Sequence, residues 1–389
     1  MDMAKPIIRF KGYQDDWEQR KLGDVAQEFK SGTSLKADEI DITGDYPVYG
    51  GNGLRGYTST YNHDGEYALI GRQGALCGNM NYSVGKAYFT EHAVVVKADE
   101  NNDTMFLYYM LDTMNLGQYS DQSAQPGLAV NKLVKLENWF PTKEEQQRIG
   151  WYFSNLDHLI TLHQRKCDET KKLKKYMLQK MFPQNGEKVP EIRFSGFTDD
   201  WEQRKLEDYL EVSNEKNRNE LLGKEDVLSV SGEFGIVNQI EFQGRSFAGA
   251  SVANYGVVEV GDIVYTKSPL KSNPYGIIKT NKGKTGIVST LYAVYKPKKD
   301  VDSEFVQIYF ELDSRMNLYM HPLANKGAKN DMKVSDANAL KGSVAFPKIE
   351  EQIAISQYFN SLDHLITLHQ RELENLQNIK KFMLEKMFV

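Results

Sequence analysis

The sequence predicts a protein in which two different globular regions are carried on a pair of long antiparallel helices, with pseudo-twofold symmetry. Three observations lead to this prediction: an internal repeat of two motifs, two helical stretches that follow the second motif, and a short linker between the repeats. At 389 residues the chain is also too long for one ordinary hydrophobic core, so we expect two or more domains.

Two motifs occur twice along the chain. The motif IRFKGYQDDWEQRKL at residues 8–22 returns as IRFSGFTDDWEQRKL at 192–206, with 12 of 15 positions identical. The motif PTKEEQQRIGWYFSNLDHLITLHQR at 141–165 returns as PKIEEQIAISQYFNSLDHLITLHQR at 347–371, an offset of 206. The stretches between the motifs show little likeness. The order is therefore variable region, shared helix, variable region, shared helix, and two such large units do not make a solenoid.

The stretches that follow the second motif have the composition of long helices. Residues 143–182 and 349–388 contain no proline and only one glycine, and each follows a proline and starts with two glutamates, which favours a helix start. Apolar residues recur at alternating spacings of three and four, which predicts a coiled-coil seam. The residues that we expect in the seam or against a partner are Phe153, Leu156, Ile160, Phe359, Leu362, Ile366 and Leu373.

The linker determines the direction of the second helix. Forty helical residues span roughly 60 Å, whereas the linker at 183–191 reaches only about 30 Å when fully extended. The second variable region must therefore lie near the far end of the first helix, and the second helix must run back antiparallel. His163 and His369 fall on the seam spacing, where a polar layer that sets the register is favoured over a metal or pH site.

Composition and charge exclude several classes of protein. The chain is 40% hydrophobic and 26% charged, as in globular proteins, and its two cysteines fit a reducing compartment rather than a disulfide framework. It has no long apolar segment, so we expect a cytoplasmic protein that does not enter a membrane. The net charge of −5 gives no signal for nucleic acid, but eight lysines stand between 261 and 299 against a single acid, Asp262.

The motifs that could carry chemistry are incomplete. Gly51, Gly53 and Gly56 match the GxGxxG spacing of dinucleotide sites, but no helical stripe follows them, so nucleotide binding is the weaker interpretation. The segment NKGKTG at 281–286 lacks the first glycine of a phosphate loop, and SNPYG at 272–276 is one proline short of the motif of amino-methyltransferases. No histidine or cysteine spacing indicates zinc. The sequence predicts no catalytic residue and no metal site.

The variable regions instead carry side chains that can read DNA. Arginine, lysine, asparagine and glutamine bond to base edges, hydroxyls and backbone amides bond to phosphates, and glycine loops let the backbone approach a ligand. The candidate DNA-binding residues of the first region are Arg55, Tyr57, Arg72, Gln73, Asn79, Asn81, Tyr82 and Gln125. Those of the second region are Lys267, Lys271, Asn273, Lys326, Lys329, Asn330 and Lys333.

The order of these blocks resembles one protein family closely. The motif DDWEQRKL, the two variable regions and the repeated P…EEQ…YF…LDHLITLHQR helices are similar to those of the specificity subunit of type I restriction–modification systems. The resemblance covers nearly the whole chain. It implies an α+β fold, in which two mixed α/β target recognition domains are separated by the pair of long antiparallel coiled-coil helices.

The resemblance divides the chain into four parts. We expect a first target recognition domain at 1–142, a first conserved spacer helix at 143–184, a second target recognition domain at 185–348 and a second conserved spacer helix at 349–389. Each recognition domain should close with a polar loop and a strand just before its helix. In the second domain this segment is rich in lysine and departs from the Gln-rich form that is usual in the family.

The family implies a non-catalytic subunit that recognises DNA. Each recognition domain would read one half of a bipartite, asymmetric site, and the helices would dock two modification subunits and set the gap between the half-sites. Those partners carry S-adenosylmethionine and methylate adenine at N6. Two restriction subunits, which use ATP and Mg²⁺, complete a nuclease that cleaves unmethylated DNA in phage defence. The resemblance implies that this chain itself binds none of these cofactors.

Two other functions stay open at the level of the sequence. One is a bipartite scaffold whose two regions bind proteins, and it predicts no affinity for DNA in any assembly. The other is an enzyme that binds a nucleotide cofactor at the Gly51–Gly56 loop, and it predicts that a bulkier residue at Gly53 abolishes this binding.

Overall fold

The chain divides into two compact units, which are described separately. The first unit comprises residues 1–165 and 369–389, and the second comprises residues 166–368. Each unit combines sheets with helices, so the predicted α+β fold class is confirmed. The structure, a computed structural model, describes residues 5–120, 127–184, 186–267, 273–326 and 332–389.

The first unit is built on a six-stranded sheet. Its elements before the first long helix are β1 (Glu18–Lys21), β2 (Ala26–Ser31), β3 (Tyr46–Gly50), β4 (Gly53–Thr58), β5 (His63–Gly71), β6 (Met80–Phe89), β7 (Ala93–Ala98), α1 (Thr104–Thr113), α2 (Val130–Leu133) and β8 (Glu137–Phe140). The strand order in the sheet is β2-β7-β5-β6-β3-β4. Neighbouring strands are antiparallel except β3 and β6, which run parallel.

Both faces of this sheet are buried at its centre. The strand β7, which lies between β2 and β5, has the sequence AVVVKA, and β-branched residues suit a strand that is covered on both sides. Ile70 and Val94 belong to a core that includes Phe106 of α1, whereas Leu69 and Val95 belong to a separate cluster on the opposite face. Successive residues of a strand point to opposite faces, so α1 covers one face of the sheet only.

A buried histidine lies on the face opposite α1. The Nε2 atom of His63 lies 2.8 Å from Glu28 Oε1, and its ring stacks on Phe89 with the centroids 4.7 Å apart. Burial alone would raise the pKa of the Glu28 carboxyl, but hydrogen bonds from Lys30 and His63 hold this pKa below its ordinary value. The histidine is therefore held by neighbours inside the fold.

The second unit has a smaller central sheet and more short hairpins. Its elements between the long helices are β9 (Glu202–Lys205), β10 (Leu210–Val212), β11 (Leu228–Ser231), β12 (Gly235–Asn238), α4 (Gln239–Gln243), β13 (Gly256–Val258), β14 (Ile263–Thr266), β15 (Ile278–Thr280), β16 (Gly286–Val288), β17 (Tyr292–Pro297), α5 (Ser303–Tyr309), α6 (Asp313–Met320), β18 (Asn325–Lys326), β19 (Met332–Lys333) and β20 (Ser343–Phe346). The central sheet has the order β10-β17-β14-β15. Its core gathers Tyr265, Tyr295, Phe305 and Phe346.

The first repeated motif forms the same structure in both units. The EQRK segments of the motif are β1 and β9, and they pair antiparallel with β8 and β20, the strands that lead into the long helices. The tryptophan just before each EQRK segment is buried, at Trp17 and at Trp201. The motif therefore closes each domain by joining its first strand to its last.

An ion pair joins the two repeated motifs in each unit. In the first unit Arg9 donates from Nε and Nη2 to the two carboxylate oxygens of Glu145, both at 2.7 Å. In the second unit Arg193 donates to Glu351 in the same way, at 2.8 and 2.7 Å. Both glutamates are buried in the first turn of a long helix. A bidentate pair of this kind fixes orientation as well as charge, so the IRF and EEQ segments form one contact.

The long helices are α3 (Lys143–Lys180) and α7 (Ile349–Met387). They lie within the helical stretches 143–182 and 349–388 that the sequence predicts, and each ends slightly earlier. Pro183 accounts for the earlier end of α3, because proline disfavours a helical conformation in the residue before it.

In the first unit the two helices pack antiparallel. Asp157 Oδ1 accepts a hydrogen bond from Lys380 Nζ at 2.6 Å, and the Nδ1 atoms of His163 and His369 lie 3.2 Å apart. Residue numbers thus rise along α3 as they fall along α7. The histidines form one polar layer between the helices, as the favoured interpretation of their spacing predicts.

In the second unit the helices again pack antiparallel. Lys174 Nζ lies 2.6 Å from Asp363 Oδ1, and the rings of Phe182 and Phe359 lie 6.1 Å apart. The seam candidates of both units differ in burial. Phe153, Leu156, Phe359 and Leu362 are buried, and Ile160, Ile366 and Leu373 are half-buried.

Candidate nucleic-acid interface

The glycine-rich segment VYGGNGLRG forms a β-hairpin in the first unit. It comprises the end of β3, a turn and β4, and the next element after β4 is another strand, β5. Gly53 has a φ of +91°, a conformation that glycine adopts readily and other residues avoid. A dinucleotide site requires a strand-to-helix turn, with the phosphates at the helix N-terminus. The segment lacks that geometry, so the nucleotide interpretation of Gly51–Gly56 is wrong.

The hairpin turn meets two other loops at one end of the sheet. Together the turn at 50–53, the loop at 72–79 and the turn at 90–92 are called the first loop surface. A Cβ atom at Gly51 would lie only 2.9 Å from the carbonyl oxygen of His92, and one at Gly71 would lie 2.4 Å from the carbonyl oxygen of Gly51. The amide of Arg72 donates to the His92 carbonyl at 2.9 Å. The glycines therefore let the three loops contact one another.

Several candidate readers lie on or beside the first loop surface. A Cβ atom at Gly53 would lie 2.8 Å from Asn81 Oδ1, and one at Gly50 would lie 2.5 Å from Arg55 Cδ. The side chain of Gln73 lies 3.2 Å from His92, between Oε1 and Nδ1. The residues that the structure brings together here are Arg55, Arg72, Gln73, Asn79 and Asn81.

Two other candidates of the first region lie elsewhere. Tyr82 follows Asn81 on β6 and points to the face of α1, where its hydroxyl donates to Glu66 at 2.9 Å and its ring lies 5.4 Å from that of Tyr108. Burial and Glu66 raise the pKa of this phenol. Tyr57 makes backbone hydrogen bonds in both directions with Asp41. Both tyrosines therefore lie apart from the first loop surface.

The first loop surface offers donors and acceptors together. Arg55 and Gln73 are exposed, and Arg72 is half-buried with Nη1 donating to the Glu91 carbonyl at 3.4 Å. Glu91 and His92 were missed as candidate readers because they occupy a turn between two strands, where no linear motif marks them. Arginine and amide side chains bond to base edges, and a carboxylate can accept from cytosine. The surface therefore carries side chains of the types that bond to base edges.

The candidates of the second unit are engaged with acids where the structure describes them. Lys267 Nζ lies 3.0 Å from Asp336 Oδ1, and the Asn273 amide donates to the Asp313 carboxylate. Gln125, Lys271, Lys329 and Asn330 lie outside the described residues. For Lys326 and Lys333 only the backbone is described, and it pairs in the β18–β19 hairpin.

In the lysine-rich stretch of the second unit, Lys267, Lys282 and Lys296 are paired with acids from other segments. Lys282 lies 3.2 Å from Glu304, and Lys296 lies 2.8 Å from Glu259 and 3.3 Å from Glu215. Other lysines of the stretch are engaged differently. Lys298 donates to a backbone carbonyl, and Lys279 is buried. Part of the positive charge of the stretch is therefore compensated within the fold.

Exposed apolar side chains recur on the long helices at matching positions. In the first unit they are Leu159, Ile379 and Phe382. In the second unit they are Leu365, Leu173 and Tyr176. Each residue of one set is related to a residue of the other by the repeat offset of 206. The repeat therefore places exposed apolar side chains at equivalent positions of the two units.

Two further searches concern the described residues alone. No group of three or more His, Cys, Asp or Glu side chains among them is placed to hold a metal ion. No described helix is long and apolar enough to span a membrane.

Comparison with known proteins identifies the first half of the chain. Residues 14–172 match the family model of the type I restriction modification DNA specificity domain. This segment is similar to a type I DNA specificity domain. The domain contains the first loop surface, and the resemblance drawn from the repeated motifs is confirmed.

Curated relatives of the specificity domain carry the same description. The type I restriction enzyme EcoprrI specificity subunit of Escherichia coli is 41% identical over 157 residues, which are 39% of this chain and 39% of that relative. The match thus spans about two fifths of the relative's length. A putative specificity subunit, MjaX of Methanocaldococcus jannaschii, is 22% identical over 94% of this chain and 91% of its own length.

A solved structure shares the fold over the whole chain. The crystal structure of the type I restriction–modification S subunit of M. genitalium covers 99% of both chains, with a TM-score of 0.67 and 16% identity. At this identity the likeness concerns the fold.

Proposed function

We propose that this chain is the non-catalytic DNA-recognition subunit of a type I restriction–modification complex, in which each recognition domain reads one half of a bipartite, asymmetric site. The observation that carries the proposal is the first loop surface, where arginine and amide side chains gather within the segment that matches the type I DNA specificity domain. A scaffold that binds only proteins does not require side chains that match the hydrogen-bonding pattern of base edges.

The repeat supports two half-sites of different sequence. The repeated motifs and the long helix that follows them form a frame that is alike in both units. In the second unit β9 pairs with β20 as β1 pairs with β8, and Arg193 pairs with Glu351 as Arg9 pairs with Glu145. The domain inside that frame has another sheet order and other loops. Two equivalent frames that hold two different reading domains favour a site with two unlike halves.

The helices support two copies of one partner. The exposed apolar sets of the two units occupy equivalent positions of the repeat, so one protein surface can recognise either set. We assign the sets to two modification subunits, which carry S-adenosylmethionine and methylate adenine at N6. Two restriction subunits, with ATP and Mg²⁺, then cleave DNA that lacks the methyl groups. This chain supplies specificity in the cytoplasm and binds none of these cofactors.

Charge compensation within the second unit predicts weak binding by the chain alone. Lys267, Lys282 and Lys296 are already paired with acids, so fewer lysines are available to replace counterions on DNA. The modification subunits have to supply much of the affinity for phosphate, and the recognition domains supply the choice of sequence.

An exchange of domains tests the proposal. Residues 23–140 are replaced by the corresponding residues of another specificity subunit, and the matched control replaces residues 207–346 instead. We expect each exchange to change one half of the methylated site and to leave the other half unchanged, since each frame holds its own reading domain. A change in both halves after a single exchange contradicts independent reading.

A further inference from the structure

A buried lysine connects three elements of the second unit. The ammonium of Lys174 on α3 lies 2.6 Å from Asp363 on α7 and 2.5 Å from Glu311, which follows α5 in the recognition domain. Lys174 occupies a seam position where apolar residues would continue the pattern, and only 9% of it is exposed. Both helices and the domain are thus joined through one ammonium group.

An equivalent lysine does the same in the first unit. Lys380 on α7 donates to Asp157 on α3 at 2.6 Å, and Tyr109 of α1 donates its hydroxyl to the other oxygen of Asp157 at 2.7 Å. Lys380 also lies 5.4 Å from the centre of the Tyr109 ring. The recognition domain is therefore tied to the same ion pair through α1.

The two arrangements are copies of one contact. Lys174 and Lys380 differ by 206 residues, and so do Asp157 and Asp363, which is the offset of the shared helices. The roles of the helices are exchanged: α3 supplies the lysine in the second unit, and α7 supplies it in the first. Because the same ion pair occurs at equivalent positions in both units, whose recognition domains differ, it is part of the repeated helices and not of either domain.

Stability gives a weak reason for placing this lysine in the seam. Burial alone would lower the pKa of Lys174, but Glu311 and Asp363 raise it above its ordinary value, so the ammonium keeps its charge. Removing a buried charge from water costs free energy that its partners offset only in part, and apolar replacements of buried ion pairs are often neutral. The directional hydrogen bonds instead fix the angle between the groups that they join.

We propose that Lys174 and Lys380 are positioning residues that fix how each recognition domain is held on the helices, and that they thereby restrict the half-site spacing that the complex accepts. This inference rests on the proposed function and deepens it. Each lysine acts on its own unit. Loss of either lysine leaves the base-reading loops intact but lets the recognition domain of that unit take a wider range of angles relative to the helices.

The test measures methylation of three DNA substrates by the chain in complex with its modification subunit. The substrates carry the mapped site with its natural spacer and with the spacer lengthened or shortened by one base pair. We expect Lys174→Met and Lys380→Met each to reduce the preference for the natural spacer by about 10-fold, because contacts of this kind are worth about that factor in a rate ratio. Both half-site sequences stay the same.

Two controls keep the test decisive. Lys180→Met removes a half-buried lysine near the end of α3 that pairs with Glu191, and it should leave the preference unchanged. Asp363→Asn removes one partner of Lys174 at a side chain that is 46% exposed, so it examines the same contact if Lys174→Met does not fold. An unchanged spacer preference in folded variants overturns the inference alone, whereas absence of methylation by the wild-type complex overturns the proposed function.

Discussion

The ion pair between Arg9 and Glu145 gives a prediction whose magnitude follows from burial. Arg9→Met leaves the Glu145 carboxylate in place, fully buried and without its two hydrogen bonds from the guanidinium. Removing one partner of a buried ion pair costs about 3–5 kcal/mol. For a unit of this size each kilocalorie shifts the unfolding temperature by about 2–4 °C, so a drop of about 10 °C is expected.

Scanning calorimetry of the full chain measures this shift, and a double variant identifies its cause. Arg9→Met with Glu145→Met removes both charges and should unfold within a few degrees of the wild type, since no buried charge is left unpaired. The matched substitution in the second unit, Arg193→Met, should behave like Arg9→Met. Lys5→Met breaks an exposed ion pair and should have little effect. If Arg9→Met destabilises no more than Lys5→Met, the assigned role of the pair is refuted.

Three further predictions concern the core, the loop surface and pH. Phe359→Ala empties a fully buried site and should lower the free energy of unfolding in urea by about 3–5 kcal/mol; a loss below about 1 kcal/mol contradicts the seam. Gly51→Ala places a Cβ atom 2.9 Å from the His92 carbonyl and should slow methylation at the native site. Gly249→Ala has open space around it and should not. Equal methylation rates of the two variants contradict a role of the first loop surface in DNA recognition. The folded pKa of Glu28 is lowered, so its stabilisation is present above about pH 4.5 and lost as the pH falls through the folded value. The melting temperature should therefore depend less on pH between about 3 and 6 in Glu28→Gln than in the wild type. The same pH dependence in both proteins contradicts this role of Glu28.

The repeat allowed the frame of the fold to be predicted, because periodicity and duplication are properties of the linear sequence. The contacts inside the frame were not predictable in the same way. The IRF and EEQ motifs both recur, but nothing in the sequence says that Arg9 reaches Glu145, since 136 residues separate them. A duplicated contact between distant motifs is visible only once the strands at the two ends of a domain have paired.

The sequence predicted the candidate site better in the first unit than in the second. In the first unit the glycines indicate where backbones approach closely, and the arginine and amide side chains beside them fall on one surface. In the second unit a run of lysines indicated positive charge, but Glu304 and Glu259, which neutralise Lys282 and Lys296, come from outside the lysine pattern. A run of lysines in the sequence therefore does not predict a positive surface when acids from distant segments pair with those lysines.

The most direct test of the account is a genome-wide map of N6-methyladenine in a methylation-free bacterial host that expresses this chain with its modification subunit. The account predicts one bipartite motif with unlike halves and methyladenine in each half, and this motif should disappear when the chain is omitted. A stable complex that leaves the genome unmethylated, or methylates adenines without a shared motif, contradicts the claim that this chain reads DNA.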